Sequence, residues 1–274
     1  MKSKFYLLTS IILLFTGWQV SAQVHMGVTT AYNATFVLDK GLSEDPRYSG
    51  TYTYQTSPIG FNFGVDVGKK FGLQLESILS NQGQIYNVVN TAKEVAGTRK
   101  IDMQYINLPL LMKFSGGGSG RARGNFNFGP QLSILSKGVE SLTTQAGNFE
   151  MPSGVDFETI KQDYPTAVDN GNGTYTIPND IPSRDLLTKQ AGDFKKKEFQ
   201  LAAAFGLDID LSKHLYLTTQ IRANYSLTDM RNEDVINSLK AGNFSEVFGG
   251  RANCLVGVQL GLHYYFGSLR SFKE

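Results

Sequence analysis

From Ala252 to Phe266 every second residue is apolar: Ala252, Cys254, Val256, Val258, Leu260, Leu262, Tyr264 and Phe266. Between them stand Asn253, Leu255, Gly257, Gln259, Gly261, His263 and Tyr265, a set that is mostly small or polar. A strand sends successive side chains to opposite faces, so this period of two makes a strand with one greasy face and one wet face. The period recurs in seven earlier stretches, 24–38, 59–68, 71–83, 101–114, 125–136, 199–211 and 215–228. Each is about long enough to cross a bilayer at a tilt. Beyond residue 22 no apolar run approaches the roughly 20 residues of a membrane helix. A membrane protein of this kind must close its strands into a barrel, because lipid offers no partner to an open sheet edge, or be attached by other means.

The connections alternate in length. Lys69 and Lys70, the run SGGGSGRARG, and residues 212–214 are short; about 39–57, 84–100, 139–197 and 229–250 are long. Short turns at one end and long loops at the other predict an all-β fold: an eight-stranded antiparallel up-and-down transmembrane β-barrel with short periplasmic turns and long extracellular loops. Within the last loop, NEDVINSLKA (232–241) is expected to form a short helix.

Charge decides which face is inside. Charged residues make up 18% of the chain, against about 25% in an ordinary soluble domain. Asp66, Glu76, Lys113, Asp208 and Arg222 fall on the polar faces, and the apolar faces carry almost none. The expectation is lipid outside and a polar lumen filled by side chains. The alternative is a soluble periplasmic barrel, with the greasy face lining a cavity for an apolar ligand.

The chain opens with Lys2 and Lys4, an apolar run from Phe5 to Phe15, and the small residues Val20, Ser21 and Ala22. This predicts a secretory signal peptide over 1–22 and a mature barrel over 23–267, with a periplasmic tail at 268–274. Its loss removes two of the 26 Lys and Arg, leaving 24 against 24 Asp and Glu. Electrostatics then gives no case for nucleic acid. A single cysteine, Cys254, excludes an intrachain disulfide framework.

Glu76 and Arg222 fall on strands that a closed barrel sets opposite one another, so they are expected to reach across the lumen. Asp66, Lys113 and Asp208 fall nearer the periplasmic end. Such pairing offsets the desolvation of enclosed charge and predicts a plugged lumen; a narrow gated channel is the alternative. His25 and His263 both face the lumen on strands that closure makes neighbours. A metal there would need further ligands, and two separate polar residues are the plainer expectation. With His214 they complete the histidines, all at the periplasmic end, whereas a surface Ser–His hydrolase needs one in the long loops. Asp and Glu are plentiful in the long loops, which makes an aspartyl-type site there the alternative, but no spacing singles out a pair. No enzyme activity, metal or cofactor is expected. SGGGSGRARG lacks the ending of a phosphate loop, and DNGNGTY (169–175) has Gly where calcium wants carboxylates. Lys195, Lys196 and Lys197 map to the outer rim, where they suit lipopolysaccharide phosphates or form a solvated charge run.

YINLPLLMK (105–113), GPQLS (129–133) and RANYSLTDM (222–230) resemble stretches of the PorT-like outer-membrane barrel family of the Bacteroidota. The resemblance covers most of the chain beyond the signal, apart from the third loop at about 139–197. It implies a barrel, and by way of some relatives an accessory part in the secretion and gliding system of that phylum. Gln259, Gly261, Tyr264 and Phe266 are similar to a barrel-insertion signal. That resemblance implies reading by the barrel-assembly machinery, although typical signals stop at the last aromatic and here GSLRSFKE follows. The expected function is a structural or interaction component of the envelope. Its expected partners are outer-membrane lipid, lipopolysaccharide and, through the loops, other envelope proteins.

Overall fold

The computed structural model describes residues 22–68, 70–116 and 120–267. The expected signal peptide up to residue 21, Lys69, and the tail from 268 lie outside them. Eight long strands carry the fold: β1 Ala22–Asp39, β2 Thr53–Val67, β3 Phe71–Val89, β4 Val95–Ser115, β5 Ala122–Thr144, β6 Lys197–Asp210, β7 Leu215–Ser226 and β8 Arg251–Tyr265. Each pairs antiparallel with its chain neighbours. The first and last strands also pair, from His25 opposite Tyr265 to Asp39 opposite Arg251, which completes the ring.

The apolar faces point outward. Val28, Phe61, Phe205, Ile221, Val258 and Leu260 are each about half exposed, whereas Asn62, Gln74, Asn127, Gln131, Gln220 and Gln259 are buried inside. This burial is the reverse of a water-soluble domain and matches a wall that meets lipid.

Beyond the rim the pattern inverts. On β4, inward Ile101, Met103 and Tyr105 are buried, while outward Lys100 is exposed. Two residues further in, Ile106 faces out and Asn107 faces in. A register shift at Gln104 and Tyr105, against Leu135 and Lys137 on β5, marks the boundary. Gly83 on β3 lies just above it with φ +136°, and a Cβ there would stand 2.0 Å from the Ile101 carbonyl oxygen, so only glycine fits. Above the boundary the protein is built as a soluble one, with an apolar core of Val37, Leu42, Tyr86, Met103, Leu135 and Met230.

The connections at this end correct the expected loops. The second is not a long loop over 84–100: β3 runs to Val89, β4 starts at Val95, and a tight turn joins them, with Asn90 N–H donating to Glu94 O at 3.0 Å. The third connection does not begin at 139, because β5 runs to Thr144 and residues Ile181–Thr188 pair with its upper half in place of β6. The rest of it folds into a small sheet of Gly147–Glu150, Thr174–Ile177 and Val168–Asp169 beside α2 (Phe157–Asp163), over a second apolar core. Tyr48–Gly50 covers the upper edge of β3, so both edges of the tall β3–β4–β5 wall are paired. α1 (Lys40–Glu44) follows β1, and α3 (Glu233–Lys240) stands in the last connection, capped by the Asn232 side chain on Asp234 N–H.

Candidate functional site

Three layers of polar contact cross the lumen from the periplasmic end upward. In the first, Lys113 Nζ lies 2.8 Å from Asp208 Oδ2, and Asn125 and Thr218 donate to the same carboxylate at 2.6 and 2.8 Å. The Lys113 ammonium sits 5.0 Å over the Tyr216 ring. His263 stacks on the other partner of that layer, Tyr216, at 4.5 Å, and the Tyr216 hydroxyl meets His25 Nδ1 at 3.0 Å. The two histidine rings are in edge contact at 5.9 Å. Closure sets their strands side by side, and Gly64 leaves the room: a Cβ there would lie 2.2 Å from His25 Nε2. Asp66 stands 3.8 Å from the same nitrogen. Among the described residues no group of three or more His, Cys, Asp or Glu is placed to hold a metal.

The middle layer joins opposite walls. Arg222 on β7 meets Glu76 on β3 at 2.5 Å, and it also donates to Asn224, Gln131 and Gln259. Gln74 donates to the other Glu76 oxygen at 2.5 Å. Gln259 thus works inside the lumen, while Tyr264 and Phe266 face outward, their rings 5.3 Å apart. Gly261 packs where a side chain would strike the His263 ring. Higher up, Glu198 is buried and accepts from Tyr105, Ser226 and Asn253. The cavities left in mid-lumen are about 10 Å³ each, at or below the room one water needs.

Sequence reading missed the layer above. Asp39, Arg251, Glu140, Arg99 and Glu246 form one continuous chain of ion pairs across the extracellular mouth. Arg251 lies 2.5 Å from both Asp39 and Glu140. Arg99 binds Glu140 from the other side, and its Nη2 meets both oxygens of Glu246 at 2.9 Å. The first four residues are 3% exposed or less, so each charge depends on its partners. Asp39, Arg99, Glu140 and Arg251 lie far apart in sequence, with no local spacing to announce them; only strand register brings them together. Glu246 belongs to the last connection, so the ladder also ties that connection to the barrel.

The cap is joined internally. Arg47 pairs with Asp45 at 2.8 Å and donates to the Tyr175 hydroxyl and the Ser245 carbonyl. Burial pushes the Tyr175 hydroxyl up to about 12, against the opposing pull of Arg47. Burial raises the Asp229 carboxyl, but hydrogen bonds and charge from Arg231 outweigh it and hold the group below its usual range. Lys195 N–H donates to the Met230 carbonyl, while Lys196 and Lys197 are exposed at the rim immediately above Phe199.

Solved structures similar to the chain include OprG from Pseudomonas aeruginosa (TM-score 0.40, 11% identity, 90% of this chain and 95% of that one). Another is Neisserial surface protein A (TM-score 0.38, 10% identity, 90% and 99%). A third is Ail of Yersinia pestis in complex with the heparin analogue sucrose octasulfate (TM-score 0.38, 9% identity, 89% and 99%). No curated protein matches the sequence. The family model described as "Outer membrane protein beta-barrel domain" matches residues 19–232, a stretch that holds the first seven strands of the ring. With its greasy wall turned to lipid and polar contacts filling its lumen, the chain belongs to this outer-membrane barrel family.

Proposed function

We propose that this outer-membrane protein acts without catalysis, as a structural and interaction component of the envelope whose folded extracellular cap meets other molecules. The observation that carries the reading is the filled lumen. Glu76 and Arg222 bridge it, Lys113 and Asp208 bridge it below, and the ladder through Glu140 crosses it above. A barrel invested in neutralising its own interior favours a plug over a conduit. The histidines support the same reading: His25 and His263 are buried against aromatic rings at the periplasmic end, and His214 lies in a periplasmic turn.

In this reading a cleaved signal peptide directs export, and the barrel-assembly machinery reads Gln259, Gly261, Tyr264 and Phe266. Lys195, Lys196 and Lys197 meet lipopolysaccharide phosphates, which the exposure of the last two supports. The PorT-like resemblance makes an accessory place in a larger outer-membrane complex the leading setting. Single-channel recording on the purified protein in planar bilayers tests the closed lumen. Baseline current is expected, and a steady large conductance rejects the plug in favour of a channel.

A further inference from the structure

A groove of about 480 Å³ lies on the lipid-facing wall, over the seam that closes the ring. Strand register builds it. Met26 and Val28 of β1 form the floor, with Phe61 and Phe63 beside them on β2 and Leu262 and Tyr264 beside them on β8. Val28 stands between Phe61 and Leu262, so its short side chain leaves a hollow between two longer ones. All of these side chains are exposed on the outer face. Lipid tails are as apolar as leucine, so the groove has no hydrophobic preference for one chain over the bulk membrane. An unfilled hollow nevertheless forfeits the dispersion contacts of its lining, and an acyl chain restores them.

The periplasmic end of the groove supplies the discrimination. Tyr264 pairs in register with Leu215, the first residue of β7, which also lines the groove. The His214 ring stacks on the Tyr264 ring at 5.8 Å. Its Nδ1 meets the carbonyl oxygens of Tyr265 and Gly267 at 3.2 and 2.8 Å, so that nitrogen carries the proton and the ring is held in place. Lys213 stands two residues before Leu215, within about 7 Å of it along the backbone. It is exposed, and its turn, Leu211 to His214, contains no carboxylate. The nearest carboxylate along the chain, Asp210, is taken by the Arg123 fork at 2.7 Å. Outward aromatic pairs at this end, Phe71 with Phe114 and Tyr264 with Phe266, mark the level of the lipid headgroups. A lysine ammonium at that level binds phosphate as a compact point charge.

We propose that this groove seats one anionic phospholipid of the periplasmic leaflet. An acyl chain lies over Met26 and Val28, and the headgroup phosphate meets Lys213. The lipid then covers the joint between β1 and β8. The site is on the outside of the wall and is independent of whether the lumen conducts.

Native mass spectrometry of the full barrel in a mild non-ionic detergent tests this, with dioleoyl phosphatidylglycerol and zwitterionic dioleoyl phosphatidylcholine as probes at equal concentration. One phosphatidylglycerol per barrel is expected to stay bound, with phosphatidylcholine retained about fivefold less, the worth of one lysine beside an anionic lipid. Lys213→Glu is expected to erase that preference, and Val28→Trp to abolish retention of both by filling the hollow. Each variant is first checked for the heat-dependent gel mobility of a folded barrel; if Val28→Trp does not fold, Val28→Phe takes its place. Equal retention of the two lipids by the unaltered protein, or of neither, overturns the proposal. So does a preference that survives Lys213→Glu, retention that survives the filled groove, or a barrel dimer that Val28→Trp dissociates in place of a lost lipid.

Discussion

Arg222 Nη1 lies 2.5 Å from Glu76 Oε2, and the two side chains meet from strands on opposite sides of the ring. Both are buried, so removing one partner leaves an uncompensated charge in an enclosed interior. Glu76→Gln or Arg222→Met is expected to cost about 3 kcal/mol or more, whereas the double change to Met at both positions costs much less. Urea unfolding in phospholipid vesicles, followed by gel mobility without boiling, measures it. Equal losses for the single and double variants would show that the pair does not act as a unit.

The ladder at the mouth predicts a local effect. Glu140 is held between Arg99 and Arg251, so Glu140→Gln leaves two buried guanidinium groups short of a partner. The expected outcome is a loosened cap over an intact barrel. Limited proteolysis should then cut within 145–196 and 227–250 at least several-fold faster, while heat-dependent mobility persists.

The inverted pattern fixes where lipid ends. Ile221 and Thr143 both face outward, Ile221 at mid-height on β7 and Thr143 above the rim on β5. Ile221→Arg is expected to destabilise the barrel by about 2–4 kcal/mol, and Thr143→Arg by less than about 1 kcal/mol. Equal costs in vesicle unfolding would place the boundary elsewhere.

Asp229 predicts an acid response. Its folded-state carboxyl is held below the usual range by Arg231 once burial is overcome. A depressed carboxyl contributes stability that is present above its unfolded value, about 3.9. That contribution is lost as pH falls through the folded value. Protection of backbone hydrogens around 229–251, taken relative to their intrinsic exchange at each pH, should therefore fall in strong acid, and Asp229→Asn should remove that step while lowering protection at neutral pH.

The strands in lipid were legible because one face had to be apolar along its whole length, as Phe61, Phe63 and Val65 show. The same rule hid what lies above. On the upper part of β3, Tyr86 and Val88 point inward and Asn87 outward, so a reading keyed to apolar-out residues takes the stretch for a loop. Lys113 and Asp208 could be placed on the polar face near one end by parity, whereas their contact depends on how the strands between them close. The contacts of Glu140 could not, since the register shift near Lys137 changes which residues face in, and shifts of that kind leave no period in the sequence. Helix α3 was visible over 232–241 because its cap and its spacing are local.

The seam between β1 and β8 joins residues more than 200 positions apart, and Asp39 and Arg251 lock its upper end. Contacts of such sequence separation close the largest loop in the chain, so each costs more chain entropy than a hairpin does. Arg251 stands on the seam and also reaches Glu140, which Arg99 holds from the other side. A seam that opens at its upper end therefore takes a cation from the mouth ladder, so ring closure and the order of the mouth stand or fall together.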